Sequence, residues 1–287
     1  MTRSIPFTKM HGLGNDYLYV DRFSYKEDED WSTLTRAIAD RHFGVGSDGL
    51  ITIEPSDIAD FRMRMFNADG LEGEMCGNGI RCFAKYVYEN RLTDKVELVV
   101  ETKAGLIRPY LTVKDGQVEL VSVDMGEPRL KRSDIPLARL EGPEPAVNEP
   151  IEFEGQVFYG TCVSMGNPHC VFFCDDVHDI DLERIGPALE NHPIFPERAN
   201  IEFVAVKSRD AIDMRIWERG SGITLASGTG SSASVVATIL NGKAEKGTPI
   251  KVSLPGGVLL VEWKEDGHVW QTGPAVAVCS GSYFYEP

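Results

Sequence analysis

The sequence predicts an α+β fold of two pseudosymmetric, strand-rich domains, each wrapped around a central helix. The chain has 287 residues, about twice the ~150 residues of an average domain. Sequence features recur at a spacing near 151 residues, which indicates that one unit has been duplicated. Each half also shows strand patterns together with two helix patterns, so the halves share an element order as well as a spacing.

Hydrophobic periodicity places the elements of each half. In the first half, alternating apolar and polar residues predict strands in FRMRMF (61–66) and KVELVV (95–100). Apolar residues three and four positions apart predict helices in DWSTLTRAIADRHF (30–43) and GNGIRCFAKYVYENRL (77–92). The second half repeats the pattern, with strands in 156–165, 201–206 and 213–217 and helices in 181–192 and 228–242.

A segment rich in proline and charge separates the halves. RLKRSDIPLARLEGPEPAVNEP (129–150) has the composition of a connection rather than of a core element. We therefore expect an N-terminal domain over 1–125 and a C-terminal domain over 126–274. The last strand, about 275–287, can return to the first domain because the pairing of terminal strands is not determined by local sequence.

Five pairs of residues carry the internal repeat. Any one pair of turn residues could arise by chance, but five in the same order at nearly one offset indicate duplication. The pairs are Asn15 with Asn167, Phe66 with Trp217, Cys76 with Ser227, Gly105 with Gly256 or Gly257, and Gly116 with Gly267.

Composition excludes several classes of protein. A formal net charge of −15 repels phosphate backbones, and no cluster of Lys and Arg offsets it, so nucleic acid is not an expected partner. No apolar run approaches the roughly 18 residues of a membrane span. The opening MTRSIPFTKMHG lacks a secretory signal, and six cysteines are too sparse for a disulfide scaffold. A cytoplasmic protein with free thiols is expected.

Cys76 stands where a Gly-rich turn enters a predicted helix. The Gly-Asn-Gly sequence permits unusual backbone angles, and the helix N-terminus offers unpaired N–H groups and a positive dipole end. Such a position lowers the pKa of a thiol and binds anions, so Cys76 can act as nucleophile or as general base. The alternative is a small core residue beside a turn; the recurrence of the turn at Ser227 favours a functional role.

Two matched turns in two related halves predict a cleft with one reactive group on each side. This arrangement allows a proton to leave one face of a tetrahedral carbon while another proton arrives at the opposite face. A racemase or epimerase is therefore the activity that the pattern favours.

Other constellations give weaker signals. GLGNDY does not match a dinucleotide-binding motif, and neither Gly-rich turn ends as a P-loop does. Cys170 and Cys174 are expected to pack in a core, so no metal site is predicted. His169 lies in a loop beside the repeat of Asn15, and Glu218 with Arg219 ends a strand. For His169, and for Glu218 with Arg219, both a surface role and a role in a binding site are therefore open at this point.

Several motifs together resemble diaminopimelate epimerase over essentially the whole chain. They are FTKMHGLGNDYLYVD, MFNADGLEGEMCGNGIRCFAKYV, VSMGNPHCV, NIEFV and WERGSGITLASGTGSSASVVA, in the order that the family has. The resemblance implies a cofactor-independent, two-domain enzyme that interconverts LL- and meso-diaminopimelate in lysine and peptidoglycan precursor biosynthesis, usually as a homodimer.

The resemblance also implies roles for individual residues. Cys76 would be one acid/base cysteine, with Ser227 at the position of the other. The reacting carboxylate would be bound at the two helix starts, by Gly77 and Asn78 and by Gly228 and Thr229. Recognition of the amino-acid substrate, chiefly its distal end, would fall to Asn15, Asn67, Asn167, Asn200 and Arg219, with Glu218 and His169 assisting near the reacting carbon.

Ser227 departs from the family, which has cysteine at this position. An alcohol loses its proton far less readily than a thiol, so Ser227 is expected to impair the reaction. One reading is an epimerase whose second cysteine has been altered to serine. Another is a paralogue, either a lyase or dehydratase or an epimerase of another amino acid, because in the distantly similar proline racemase family such an exchange accompanies dehydration. A third is a non-catalytic amino-acid-binding protein.

Overall fold

The computed structural model describes residues 2–286 and divides them into two compact units. Unit 1 comprises residues 2–123 and 273–286, and unit 2 comprises residues 124–272. Both units are rich in strands and contain few helices, which confirms the predicted α+β class. Within residues 2–286, no helix has the length and apolarity that a membrane crossing requires.

The helices and strands have the following bounds. The helices are α1 (Trp31–Ile38), α2 (Gly77–Glu89), α3 (Leu182–Glu190), α4 (Gly228–Leu240) and a short 3₁₀ helix (Val177–Asp179). The strands are β1 (Arg3–Gly12), β2 (Asn15–Asp21), β3 (Gly49–Glu54), β4 (Phe61–Asn67), β5 (Glu72–Gly73), β6 (Val100–Thr102), β7 (Gly105–Ile107), β8 (Pro109–Lys114), β9 (Gln117–Asp124), β10 (Glu149–Phe153), β11 (Gln156–Ser164), β12 (Pro168–Phe173), β13 (Asn200–Ser208), β14 (Ala211–Glu218), β15 (Gly222–Ile223), β16 (Ile250–Leu254), β17 (Gly257–Trp263), β18 (Val269–Gly273) and β19 (Val276–Tyr285).

Unit 1 is a twisted sheet with the strand order β19-β1-β2-β3-β4-β6-β7, to which β5 is added beside β4. The pairs β2–β3 and β4–β6 are parallel, and the other pairs on this path are antiparallel. Helix α2 packs on β1, β2 and β8. The apolar residues that predicted this helix (Ile80, Phe83, Ala84, Val87) are all completely buried.

Unit 2 repeats the topology of unit 1. Its path is β10-β11-β12-β13-β14-β16-β17-β18, with β15 beside β14. The pairs β12–β13 and β14–β16 are parallel, as are their counterparts in unit 1. Helix α4 is buried on nearly all sides, because its small residues let the strands approach. Three of its hydroxyls, those of Ser231, Ser232 and Thr238, donate to carbonyls one turn earlier, whereas Ser234 donates to Met214 Sδ at 3.1 Å.

The central helices of the two units begin and end alike. Each has 13 residues, and the N-caps are Cys76 and Ser227, at the 151-residue spacing found in the sequence. The C-caps are Asn90 and Asn241, with φ of −86° and −88°. The repeat seen in five pairs of residues thus corresponds to a repeat of strand order and helix position.

Two element predictions were wrong in extent. The strand expected at 95–100 is formed only from Val100 onward. The Val99 N–H binds the Asp60 side chain, and the residues before it pair with β8 through an isolated bridge, Glu97 with Tyr110, rather than through a continuous ladder. The helix expected at 30–43 ends at Ile38. The Asp40 carboxylate accepts from the N–H groups of His42 and Phe43, which stabilises a turn in place of the last helical residues.

The core of unit 1 provides a test of this packing. Leu34, in α1, is completely buried, whereas Leu71 is 66% exposed. We expect Leu34→Ala to lower the free energy of unfolding by about 2–5 kcal/mol, because it leaves a cavity. The matched surface change Leu71→Ala should stay within about 0.5 kcal/mol of the parent. Urea denaturation followed by circular dichroism measures both, and equal midpoints would contradict the packing.

Candidate active site

Cys76 is the N-cap of α2. Its backbone is extended, with φ −129° and ψ 119°, and its Sγ accepts a hydrogen bond from the Gly79 N–H at 3.3 Å. A Cβ at Gly79 would lie 2.8 Å from Ile51 Cδ1, so a larger residue here would displace the Ile51 side chain of β3. The thiol is partly buried and lies at the positive end of the α2 dipole.

Asn15 contacts the same thiol and is itself held in place. Cys76 Sγ donates to Asn15 Oδ1 at 3.2 Å, while Asn15 Nδ2 donates to Asp48 Oδ2 at 2.8 Å. Arg41 bridges Asp48 and Asp16 at 2.9 and 3.0 Å. Because the Asp48 carboxylate accepts from Nδ2, the amide oxygen of Asn15 faces the thiol.

Two tyrosines of β2 lie beneath the Cys76 turn. The Tyr19 hydroxyl donates to Gly79 O at 2.9 Å and so ties the first turn of α2 to the sheet. Burial raises the pKa of Tyr17 and Tyr19, and a negative charge on Cys76 would raise both further. Both phenols therefore remain neutral near physiological pH.

Asn67 stands at the same end of the unit 1 sheet. Tyr17 pairs with Gly49, and Gly49 pairs with Asn67 across the neighbouring strands. A Cβ at Gly49 would lie 2.0 Å from Phe66 O and 2.8 Å from Tyr17 Cε1, so these strands meet without an intervening side chain. Asn67 itself is exposed. Unit 1 thus places Asn15, Asn67, Cys76, Gly77 and Asn78 at or beside one end of its sheet.

Ser227 reproduces the geometry of Cys76 in unit 2. Its φ and ψ are −127° and 125°, and its Oγ accepts from the Gly230 N–H at 3.2 Å. Ser227 is 4% exposed. The Gly228 carbonyl that follows is bound by Gln271 Nε2 at 3.0 Å. The two turns therefore share a backbone geometry, with sulfur as the capping atom in one and oxygen in the other.

A buried polar chain lies beside the Ser227 turn. His169 Nδ1 is 2.6 Å from Glu202 Oε1, and both side chains are fully buried. His169 Nε2 is 3.0 Å from Asn167 Oδ1, and Asn167 Nδ2 donates to Thr229 Oγ1 at 3.4 Å. Burial raises the pKa of the Glu202 carboxyl, and the neighbouring imidazole opposes this. Among the described residues, Glu202 Oε2 is buried without a hydrogen-bond partner.

Asn200 and the 217–220 loop complete the polar groups of unit 2. Asn200 Nδ2 donates to Pro168 O at 2.9 Å, and Asn200 Oδ1 accepts from the Arg219 N–H at 2.9 Å. Glu218 Oε1 accepts from the Thr224 hydroxyl. Arg219 Nη1 donates to Glu197 O at 3.0 Å, which leaves other guanidinium N–H groups for a ligand.

Sequence reasoning missed several residues that shape these turns. Glu190, at the end of α3, accepts from Trp217 Nε1 at 2.7 Å and from the Gly220 N–H at 3.0 Å, and so fixes the loop of Glu218 and Arg219. Glu202 was visible as a charge within the apolar strand IEFVAV, where a buried carboxylate demands a partner. Tyr17, Asp48 and Arg81 had no local signal.

Residues 2–286 contain no cluster of three or more His, Cys, Asp or Glu side chains that could hold a metal ion.

Comparison with known proteins gives consistent matches. A family model described as diaminopimelate epimerase matches residues 7–131 and 161–278. The diaminopimelate epimerase of Bacillus cereus (strain B4264) is 48% identical over 281 residues, covering 98% of this chain and 97% of that protein. The diaminopimelate epimerase of Bacillus cytotoxicus shows the same identity and coverage.

Solved structures share the fold at much lower identity. A phenazine biosynthesis protein of the PhzF family from Bacillus anthracis has a TM-score of 0.70 at 17% identity, covering 98% of this chain and 99% of its own. A hydroxyproline epimerase from Agrobacterium vitis, solved with trans-4-hydroxy-L-proline bound, has a TM-score of 0.69 at 14% identity, covering 98% and 91%. These likenesses establish the fold.

Removal of Glu190 tests the support of the 217–220 loop. Glu190→Ala leaves the Trp217 indole N–H and the Gly220 N–H without their acceptor, so we expect the free energy of unfolding to fall by about 1–3 kcal/mol. Glu183→Ala removes an exposed carboxylate from the same helix and serves as the control. It should cost at most about 1 kcal/mol, through the helix dipole. Equal urea midpoints for the two variants would contradict the assignment.

Proposed function

Because the chain belongs to the diaminopimelate epimerase family, we propose that it acts on the α-carbon of diaminopimelate, interconverting the LL and meso forms without a cofactor. The observation that carries the proposal is the position of Cys76, whose sulfur caps α2 beside Asn15 and accepts from the Gly79 N–H. Such a thiol stands where an anion is favoured, and a thiolate there can remove a proton from carbon.

In the proposed reaction the Cys76 sulfur takes the α-hydrogen as a proton. The electron pair left on the α-carbon delocalises into the adjacent carboxylate, whose developing charge needs hydrogen-bond donors. The backbone N–H groups of the first turn of α2, at Gly77 and Asn78, and those of α4, at Gly228 and Thr229, would supply such donors. Inversion is completed when a second group, at position 227, delivers a proton to the opposite face.

Recognition of the substrate follows from its chemistry. Diaminopimelate carries an amino group and a carboxylate at each end, so it requires both acceptors and cationic donors. We assign Arg219, with Asn15, Asn67, Asn167 and Asn200, to the distal end, since guanidinium and amide groups bind carboxylate and ammonium. Glu218 and His169 are assigned to the surroundings of the reacting carbon.

Ser227 limits the reaction in this proposal. Its hydroxyl has the position and cap geometry of a proton carrier, but an alkoxide forms far less readily than a thiolate. After one proton is delivered from oxygen, the alkoxide that results is strongly unfavourable. The chain is therefore proposed to remove and return a proton through Cys76 while inverting the carbon slowly.

A second candidate is a lyase, a dehydratase or an epimerase of another amino acid that uses Cys76 and Ser227. The observation that favours it is the fit of serine to its site: Ser227 Oγ accepts from the Gly230 N–H, and Ser231 Oγ donates to Ser227 O at 2.7 Å. A non-catalytic amino-acid-binding protein has less support, since binding alone gives no reason for a thiol at Cys76.

The proposal extends to cellular setting and assembly. The six cysteines are free thiols, as a reducing cytoplasm would keep them, so we propose a cytoplasmic location.

A homodimer is proposed from the family resemblance. In its support, β19 lies at the edge of the unit 1 sheet and exposes Val278 and Phe284, which are 55% and 72% accessible. Size-exclusion chromatography with light scattering tests the assembly.

Restoring a thiol at position 227 tests the function. Ser227→Cys should raise the rate of LL-to-meso conversion by roughly 10²–10⁴-fold, the range that a positioned acid or base contributes. Ser227→Ala is the matched control and should convert no faster than the parent. Chiral chromatography of the products measures both rates.

The result separates the candidates. If neither the parent nor Ser227→Cys converts diaminopimelate, the proposed substrate is wrong. The lyase or other-epimerase candidate then predicts turnover of a different amino acid, with a hydroxylated one as the first to test, and loss of that turnover in Ser227→Ala.

A further inference from the structure

Arg81 is a completely buried cation in the first turns of α2. Its Nη1 donates to Gly77 O at 3.2 Å, its Nη2 to Asn78 Oδ1 at 2.8 Å, and its Nε to Pro274 O at 3.2 Å. These three acceptors are neutral. A Cβ at Gly12 would lie 2.9 Å from Nη2, so a glycine in β1 makes room for the guanidinium. The side chain thus joins the residues that follow Cys76 to the sheet.

The charge on Arg81 persists despite its burial. Burial lowers the pKa of the guanidinium, yet arginine remains protonated in proteins at physiological pH. A cation away from water interacts strongly with a nearby anion, because little solvent screens it. Arg81 therefore favours the ionised form of whichever titratable group faces it.

Three titratable groups face Arg81, and two of them stay neutral. The groups whose negative charge would stabilise the guanidinium are Cys82, Cys76 and Tyr19. Burial raises the pKa of Cys82 to about 12 and that of Tyr19 well above its usual value. Cys76 is only partly buried and caps the helix. It is the least buried of the three.

The equivalent turn in unit 2 has no such cation at this position. Ser232 takes the place of Arg81 in α4, and its Oγ donates to Gly228 O at 3.0 Å. Gln271 donates to the same carbonyl, so two neutral donors replace the guanidinium. A Cβ at Gly230 would lie 3.2 Å from Ser227 Cβ and 3.1 Å from Glu202 Oε1, which places a carboxyl group directly behind this turn. The two turns share a backbone geometry but differ in their charge.

We propose that Arg81 is a positioning residue of this reaction, whose buried guanidinium favours the Cys76 thiolate and orients Asn78, so that Cys76 rather than residue 227 is the stronger proton acceptor of the pair. The inference rests on the proposed function. In the step concerned, the Cys76 sulfur forms an S–H bond with the α-hydrogen, the C–H bond breaks, and its electron pair stays on the substrate. Residue 227 then donates a proton from its own side.

The other groups around Cys76 do not stabilise a thiolate. From β2, the Tyr17 phenol is neutral, and Asn15 Oδ1 accepts the thiol proton, which opposes ionisation. The carboxylate of Asp48 reaches the thiol only through Asn15 and is paired with Arg41.

The charged and titratable groups of the other elements packed against α2 are engaged elsewhere. From β1, Lys9 is paired with Asp16 at 2.8 Å and His11 accepts from the Gly14 N–H at 3.2 Å. From β8, the Tyr110 hydroxyl donates to Glu97 at 2.9 Å. We therefore assign Arg81 as the cation that stabilises the Cys76 thiolate.

The pH dependence of thiol alkylation tests the inference without any substrate. In Ser227→Cys, after reduction, peptide-resolved labelling with iodoacetamide should give Cys76 a pH midpoint about 1 unit below that of the cysteine at position 227. Adding Arg81→Gln should raise the Cys76 midpoint by about 1 pH unit and leave the other thiol unchanged. Cys279, exposed on β19, serves as the internal reference.

Two further variants separate charge from structure. Arg81→Lys retains the charge and should keep the Cys76 midpoint near that of the parent. Lys85→Gln removes a positive charge one turn further along α2, where Lys85 is paired with Glu89, and should change neither midpoint. Equal midpoints for the two thiols in Ser227→Cys would overturn the inference even if Arg81→Gln fails to fold. A Cys76 midpoint that does not rise in folded Arg81→Gln would also overturn it.

The design keeps this inference separate from the proposed function. If Ser227→Cys shows the expected midpoints but does not convert diaminopimelate, the substrate assignment fails and the electrostatic role of Arg81 stands. If it converts diaminopimelate but the two midpoints coincide, the substrate assignment stands and the electrostatic role of Arg81 fails.

Discussion

The hydrogen bond from the Gly79 N–H to Cys76 Sγ is the interaction on which the proposed site depends. It makes the thiol sulfur the cap of α2, so that the sulfur lies beside the backbone N–H groups of the first helical turn. The packing of Gly79 against Ile51 allows the turn to come this close to β3, and the Tyr19 hydroxyl secures it from below. A proton acceptor and an anion site therefore arise from one piece of backbone.

The same helix-capping turn occurs in both units, at Cys76 and at Ser227, but the buried side chains around it differ. Around Cys76 the buried guanidinium of Arg81 adds positive charge, whereas around Ser227 the buried pair of His169 and Glu202 lies behind the turn. Position 51 in β3 is isoleucine, and its counterpart, Glu202 in β13, is a carboxylate. A duplicated scaffold thus supplies matched geometry, while a few buried polar residues give each half its own electrostatics.

Much of the fold was predictable because its signals are local. The Gly-rich turns and apolar faces located α2 and α4, and the spacing of Cys76 and Ser227 revealed the duplication. The expected strand at 95–100 failed because partners distant in sequence decide pairing there. Arg81 escaped prediction for the same reason, since one of its acceptors, Pro274, lies 193 positions away. Motifs point to candidate site residues, but buried neighbours such as Arg81 are visible only in three dimensions.

The most direct test of the central claim is stereospecific α-hydrogen exchange in deuterated water, followed by NMR with LL- and meso-diaminopimelate. The account predicts that the unaltered chain incorporates deuterium at one configuration of the α-carbon, with retention, and that Cys76→Ser abolishes the incorporation. Exchange that survives Cys76→Ser would contradict the account, because it would require a base other than the thiol that caps α2. Rapid inversion by the unaltered chain would also contradict it, because it would require an efficient proton carrier on the opposite face of the α-carbon.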